Sequence, residues 1–366
     1  MSIQIFTLTL TKFKNLKKLI FLFLSLIIIG ETKAQDPAFS QFYSNQLYLN
    51  PAFTGINKGL RLGMDYRSQW PSVSSPFTTY NVYGDIQDFN LGGGIGFMAM
   101  QDIEGAGALK TTTFGGFYSY RLVVVSRKFD IQAGFGLNYT MKSVDWSRFV
   151  FSDQLDPVLG QIYQTAAIPP QNTNRNFIDA DAGVLAKFNI SMGNTDFSNT
   201  LGFAAHHLTQ PNESLIGLES RLPMKFTVHY GTLIPLQGNI NWNNFFLSPN
   251  FIWEQQDNFN TFNFGFYVLK APVYVGAWYR DQKVPFRGGD AFIANIGVRF
   301  ENNDIIYQLG YSYDLTVSNL AANSGGAHEI SVVVQFGNTK LSDNTSTHGL
   351  RKSTNCYKFG NGFLGL

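Results

Sequence analysis

Cysteine and charge are both scarce in this sequence. Its one cysteine, Cys356, cannot form an intramolecular disulfide and cannot alone build a thiolate zinc site. Charged residues make up 14% of the 366 residues, whereas an average soluble domain holds about 25%. Coiled coils, disordered chains and helical repeats have charge-rich, aromatic-poor sequences, so this composition argues against all three classes.

The charge that is present is unevenly distributed. The formal net charge is +2, but the first 34 residues hold five lysines and one glutamate, a balance of +4, which leaves about −2 for the remainder. No cluster of lysine and arginine recurs downstream. The sequence therefore predicts no nucleic-acid partner, because such a partner needs a basic surface.

Long hydrophobic runs are also absent, except for the eleven residues at 19–29. This run follows a lysine-rich leader and precedes small residues at Thr32 and Ala34, as in a secretory signal peptide. We predict that residues 1–34 are a cleaved signal peptide and that the mature chain begins at Gln35. A membrane anchor is the alternative, although the run falls short of the roughly 20 residues that span a bilayer.

Glycine and aromatic residues are abundant, with 35 Gly, 34 Phe, 17 Tyr and 5 Trp. Along most of the mature chain, apolar residues alternate with small or polar ones at a period of two, which is typical of strands with two different faces. In residues 129–140, for example, Phe135 and Tyr139 share one face, and Gln132 and Asn138 share the other. The composition and the alternation together favour β-structure.

The alternation predicts fourteen strands of about ten residues, the length at which a tilted strand crosses a bilayer. Their starts lie near Gly59, Phe77, Leu91, Lys110, Phe129, Phe177, Phe197, Met224, Trp242, Phe259, Pro272, Ala291, Asp304 and Ala327. Short connections alternate with longer ones, as short periplasmic turns and longer outer loops do in outer-membrane barrels. We therefore predict an all-β fold: a closed antiparallel transmembrane β-barrel of about 14 strands over residues 59–337, with a periplasmic tail over residues 338–366.

The polar strand faces are predicted to line a lumen that is too wide for wall side chains alone to fill. Candidate lumen residues are Asp130, Gln132, Asn138, Asp179, Asp181, Lys187, Asn263, Asn295, Arg299, Gln308, Asp314 and Glu329. Aromatic residues near strand ends are candidates for the girdles at the two membrane interfaces. These are Tyr118, Tyr120, Tyr139, Phe188, Trp278, Tyr311, Tyr313 and Phe336.

Several motifs of the mature chain resemble those of a known family. The first is QDPAFSQFYSNQLYLNPAFTG at residues 35–55, followed by YRSQW at residues 66–70. The others are the paired histidines within residues 202–208, GAWYR at 276–280, GYSYD at 310–314 and AHEIS at 327–331. Together they resemble the PorP/SprF family of type IX secretion system membrane proteins of Bacteroidetes.

This resemblance implies a barrel of the bacterial outer membrane, reached by signal-peptide-dependent export, without enzymatic activity and without a cofactor. It implies four partners: outer-membrane lipid, the periplasmic lipoprotein ring of the secretion and gliding machine, a peptidoglycan-linked protein, and the C-terminal domain of a secreted adhesin. The tail at residues 355–359 matches relatives only loosely, so no role is transferred to it.

The matching motifs and one aromatic loop supply the candidate partner-binding residues. These are Asp36, Pro37, Phe39, Ser40, Gln41, Asn50, Pro51, Gly55, Arg67, Trp70, Trp146, Phe149, Phe151, Tyr163, Trp278, Arg280, Tyr313, Asp314, His328 and Glu329. The loop at residues 142–176 is expected to bind protein or, alternatively, to fold inward as a constriction. Residues 35–58 form a periplasmic segment that either enters the lumen, docks on a partner, or packs on the base of the barrel as a strap.

Two groups of residues are candidate sites of chemistry: the adjacent histidines and the paired carboxylates. Consecutive strand residues point to opposite faces, so His206 and His207 are not expected to share a metal ion without a bulge. Asp179 and Asp181 share a face, and we predict an interior charge network with Lys187 and Arg299 rather than acid–base catalysis. No hydrolase, nucleotide-binding or metalloprotease motif is present.

The barrel pattern together with the family resemblance implies a non-enzymatic component of the type IX secretion and gliding machinery that assists secretion or surface anchoring of a partner adhesin. A diffusion porin or small-solute transporter of the outer membrane is the alternative.

Overall fold

The computed structural model describes residues 36–337, apart from residues 58, 89, 106–107, 126–128, 170–172, 193–194, 216–218, 237–244, 283–288, 303–304 and 318–323. The predicted signal peptide and the predicted C-terminal tail lie outside the described residues. The described residues from Pro37 onward form one compact unit. Within the described part of the chain, no helix is long and apolar enough to cross a membrane.

Fourteen antiparallel strands close into a barrel, in which each strand pairs with its neighbours in sequence and the last pairs with the first. They are β1 Leu60–Gln69, β2 Phe77–Asp88, β3 Gly93–Glu104, β4 Leu109–Val125, β5 Phe129–Val144, β6 Asn174–Met192, β7 Thr195–His206, β8 Lys225–Leu236, β9 Phe245–Gln256, β10 Phe259–Lys270, β11 Val273–Asp281, β12 Gly289–Asn302, β13 Ile305–Thr316 and β14 Ala327–Phe336. The predicted fold class and strand number are confirmed.

The closing seam joins β1 to β14, from Arg61 opposite Gln335 to Gln69 opposite Ala327. Both ends of the barrel's chain therefore lie at the same end of the barrel. Most connections there are short, such as the one between Lys270 and Val273. The long loops, residues 145–173 and 207–224, lie at the opposite end, which we call the loop end.

The two faces of the wall differ as the alternation predicts. Along β5, Phe135, Leu137 and Tyr139 point outward and are exposed, whereas Gln132 and Asn138 point inward and are buried. An exterior of this kind suits lipid, which offers no hydrogen-bond partner to polar groups. The main hydrophobic core lies inside the barrel, because it contains residues that precede β1, such as Phe42 and Phe53, together with wall residues.

A charge on the outer face should destabilise the barrel in the membrane. Ile296 of β12 lies on that face and is 53% exposed. We expect Ile296→Arg to lower the free energy of unfolding in lipid vesicles by about 2–4 kcal/mol, the cost of arginine near the bilayer midplane. Val158→Arg in the long loop, where Val158 is 89% exposed, is the matched control and should change little. Equal stability of the two variants would place the membrane elsewhere on the molecule.

Candidate functional site

The lumen of the barrel is occupied by the chain's own N-terminal segment, residues 37–57, which we call the plug. Nearly all of its residues are buried. It contains one short helix, α1 Gln46–Leu49, and one 3-10 helix, Pro51–Phe53. Asn50 caps the latter, since its side-chain oxygen accepts the backbone N–H of Ala52 at 2.9 Å. Of the locations considered for this segment, the structure shows the lumenal one.

Aromatic side chains of the plug pack against the wall and against each other. The ring centroids of Phe42 and Trp278 lie 5.0 Å apart, and those of Phe53 and His229 lie 5.1 Å apart. Phe39 packs edge-on against Tyr48 within the plug. Burial of such large rings supplies the apolar part of the plug's attachment.

Towards the loop end, four charged wall residues form a buried cluster, which we call the Arg67 cluster. It consists of Arg67, Arg280, Asp314 and Glu329. Arg67 donates to Asp314 over 2.8 Å and to Glu329 over 3.0 Å, and Arg280 donates to Asp314 over 3.0 Å. Two cations thus balance two anions in a buried site. Removing such charges from water costs free energy, and close pairing of opposite charges offsets that cost.

The plug completes the Arg67 cluster. Glu329 accepts the backbone N–H of Ser40 at 2.7 Å and that of Gln41 at 3.0 Å. The Ser40 hydroxyl donates to Asp314 at 2.6 Å and accepts from Arg67 and Arg280. Hydrogen bonds to charged groups are the strong ones, so this contact fixes the first part of the plug in the lumen.

The last part of the plug is fixed near the other end of the barrel. The backbone N–H of Gly55 donates to Asp85, which also pairs with Arg61 at 2.7 Å. The carbonyl oxygen of Thr54 accepts from Ser119 and Gln132. The plug therefore binds polar wall groups at both ends of the lumen.

Between these two ends, wall glycines let the plug approach the strands closely. A Cβ atom added to Gly183 would lie 2.0 Å from the side-chain oxygen of Asn50, and one added to Gly94 would lie 2.5 Å from the Cα of Gly55. The Asn50 amide donates to the carbonyl oxygens of Val184 and Phe203 at 3.3 and 3.2 Å. The alternation of residues along the strands does not reveal this role of the glycines.

The assignment of Trp278 to an interfacial girdle is wrong. Trp278 is 2% exposed and points into the lumen, because it lies in phase with inward-facing Arg280 on β11. Its ring covers Gly265 of the neighbouring strand. Tyr83 shares this arrangement over Gly63. Position within the alternation, rather than nearness to a strand end, would have found both inward aromatic residues.

The expectation that His206 and His207 point apart is also wrong. β7 ends at His206, and His207 adopts a positive φ of 58°, which turns its side chain back towards the lumen. His207 then contacts Asp179, and His206 Nδ1 lies 3.5 Å from an oxygen of Asp181. The two carboxylates thus pair with histidines.

The predicted partners of these carboxylates, Lys187 and Arg299, lie elsewhere on the wall. Lys187 stands opposite Asp130 in the register of β5 and β6, and Asp130 pairs with Arg121. Arg299 is buried beside Tyr43 of the plug, where it lines a small pocket. The predicted network does not form as one unit: Asp179 and Asp181 pair with histidines, and Lys187 and Arg299 lie at other places on the wall.

Other candidate residues lie at strand ends or outside the wall. Trp70 follows β1 with a positive φ of 57°, and its ring packs on Phe77. Tyr313 packs against His328 on the outer face, with ring centroids 5.0 Å apart. The carbonyl oxygen of Pro37 accepts from Tyr48 in the plug. Asp36 precedes the compact unit that contains the barrel.

The long loop at residues 145–173 carries an aromatic cluster that is partly exposed. The rings of Trp146, Phe149 and Phe151 lie 5.3–6.3 Å apart, and Tyr163 is 55% exposed. The loop also contains a short hairpin, in which the two-residue strand Leu155–Asp156 pairs with the two-residue strand Gly160–Gln161. The pKa of Asp156 lies below its usual range, because the backbone N–H groups of Leu159 and Val158 donate to its carboxylate.

A closed antiparallel barrel with an apolar exterior and a buried polar interior is a transmembrane β-barrel of the outer-membrane type. The chain belongs to the PorP/SprF family of type IX secretion system membrane proteins, because the model of that family matches residues 31–334. This is a family of secretion membrane barrels and not of enzymes. No curated protein matches the sequence.

Solved structures with a similar fold include other barrels of low sequence identity. The outer membrane protein Omp33 of Acinetobacter baumannii shares 10% identity, with 78% of this chain and 100% of that chain covered and a TM-score of 0.36. The toluene transporter TbuX of Ralstonia pickettii shares 10% identity over 79% of this chain and 93% of that chain, with a TM-score of 0.41.

Proposed function

We propose that this protein is a non-conducting outer-membrane component of the type IX secretion and gliding machinery that assists the export or surface anchoring of a partner adhesin. One observation carries the proposal: the plug fills the lumen and completes the buried Arg67 cluster through Ser40 and Gln41. A barrel whose lumen is occupied by its own N-terminal segment leaves no path for solutes. Its two ends are then the surfaces that can bind proteins.

Partner binding then falls to the two ends of the barrel. The loop end presents the partly exposed rings of Trp146, Phe149 and Phe151, and aromatic residues are enriched in protein interfaces. We place the adhesin's C-terminal domain there. The short-turn end would face the periplasmic lipoprotein ring and the peptidoglycan-linked protein, after cleavage of the signal peptide behind Ala34.

Affinity purification from native outer membranes tests this proposal. The full chain, tagged at its C-terminus, is expected to recover type IX machinery together with one large surface protein. A variant with Trp146, Phe149 and Phe151 replaced by serine should lose the surface protein and keep the machinery, since only the loop end is changed. If the serine variant still recovers both the surface protein and the machinery, the loop is not part of the interface. If the unchanged chain recovers no machinery, the proposed function is wrong.

The porin alternative makes a different prediction for the same preparation. Reconstituted in planar bilayers, a porin conducts steadily, whereas the plugged barrel should not. The polar lumen faces that suggested a porin from the sequence are used in the structure to bind the plug, as Asp85 and Gln132 do.

A further inference from the structure

A group of metal-binding side chains lies on the wall at the loop end, apart from the Arg67 cluster. Asp179 and Asp181 of β6 and His207 after β7 each present one ligand atom, and these atoms lie within 4.8 Å of one another. Asp179 is 2% and Asp181 6% exposed. Two carboxylate oxygens and one imidazole nitrogen at such separations match the donor set of a zinc site with an open position.

The positions of these three residues follow from the strand ends. Asp179 and Asp181 are two residues apart on the inward face of β6, and His207 reaches them only because its positive φ turns the chain inward. The backbone N–H of His207 donates to Asp181 at 3.2 Å, and that of Leu208 donates to the carbonyl oxygen of Ala180 at 2.9 Å. These backbone contacts hold the imidazole over the carboxylates.

Neighbouring polar groups orient the proposed ligands. Thr209 donates its hydroxyl to Asp179 at 2.7 Å, and the amide of Asn138 donates to Asp181 at 2.6 Å. His206 lies beside Asp181 on the same side. Hydrogen bonds of this kind fix the orientation of metal ligands in characterised sites.

A second observation points to a bound cation. His206 is 5% exposed, and its Nε2 atom is buried without a hydrogen-bond partner, while its Nδ1 atom lies 3.5 Å from Asp181. Buried polar atoms are nearly always satisfied in native proteins, and histidine is the commonest metal ligand, so an imidazole with an unsatisfied nitrogen beside these carboxylates favours a metal ion there.

We propose that Asp179, Asp181 and His207 bind a divalent transition-metal ion of the zinc type, with Asn138, Thr209 and His206 as supporting residues. Imidazole favours zinc over the hard cations calcium and magnesium, which prefer oxygen ligands throughout. The ion would link β6 to the first residues of the loop at 207–224. That loop also contacts the wall through Lys142 and Glu213, which pair at 2.7 Å. The metal would therefore order the base of the loop at 207–224.

Metal titration of the purified full barrel tests this proposal. In detergent micelles after chelator treatment, we expect one Zn²⁺ per chain by calorimetry, and a Co²⁺ absorption spectrum that reports nitrogen and oxygen ligands. Asp179→Asn combined with His207→Gln should weaken binding by more than about 100-fold, and Thr209→Val, which keeps every ligand, by about 10–100-fold. Asp130→Asn, which changes a wall carboxylate that pairs with Arg121 instead, is the matched control and should bind like the unchanged protein.

Correct folding of each variant is checked by its heat-modifiable mobility on gels. If the double variant fails to fold, Thr209→Val together with the cobalt spectrum decides the question. Absence of stoichiometric binding, or binding that is the same in Thr209→Val and in the unchanged protein, overturns the assignment.

Discussion

Deletion of the plug, residues 37–57, is expected to convert a non-conducting barrel into an open pore. A fourteen-stranded wall encloses more space than its own side chains fill, and in this protein the plug takes up that space. Single-channel recording in planar bilayers should show no steady conductance for the unchanged protein and large, stable steps for the deletion. The triple serine variant of Trp146, Phe149 and Phe151 changes only the rim and should stay closed.

A point substitution gives an independent route to the same result if the deletion fails to fold. Gly134 lies against the plug, and a Cβ atom there would approach the backbone of Pro51 and Ala52 to 2.3 Å. Gly134→Leu should push the plug away from β5 and raise the conductance, whereas Gly116→Leu, on the same wall with nothing within 4 Å of its Cβ, should not. Steady conductance in the unchanged protein would contradict both the sealed lumen and the proposed function.

Removal of the Glu329 carboxylate should cause the second large effect. Glu329→Ala leaves the buried guanidinium of Arg67 short of one anion and the N–H groups of Ser40 and Gln41 without their acceptor. Breaking a buried pair in this way costs about 3–5 kcal/mol. Urea unfolding in lipid vesicles measures the loss of free energy.

The control for this prediction is an exposed ion pair of the same kind. Glu219 and Arg221 form it in the loop at 207–224, and their side chains are 67% and 66% exposed. Glu219→Ala should change the free energy of unfolding by about 0–1 kcal/mol, as is usual for surface pairs. Glu329→Gln, which keeps an acceptor oxygen, should fall between the two. An unfolding free energy for Glu329→Ala that equals that of the control would show that the Arg67 cluster does not hold the plug.

The wall could be predicted from the sequence because lipid imposes a simple rule on it. Each strand needs apolar residues outside and small or polar residues inside, so the period of two gives both the strand and its orientation. The predicted start at Phe129 coincides with that of β5, and the predicted start at Phe177 lies within three residues of Asn174, where β6 begins.

The plug could not be placed by the same rule. Residues 39–55 mix large aromatic residues with Ser, Gln and Asn, and such a mixture suits any buried surface that is partly polar. Its location depends on partners far away in sequence, since Ser40 and Glu329 are 289 residues apart. His207 was misplaced for a related reason: the turn that redirects it is a single backbone angle, which the residue pattern does not encode.

The closing seam has a consequence for the stability of the molecule. Arg67 and Glu329 face each other across β1 and β14, and both bind Ser40 or its backbone. The segment that contains Ser40 is covalently joined to β1, and its contacts with Glu329 need the last strand in place. Closure of the ring and binding of the N-terminal segment are therefore expected to stabilise each other, so that the segment bridges the first and last strands from the inside.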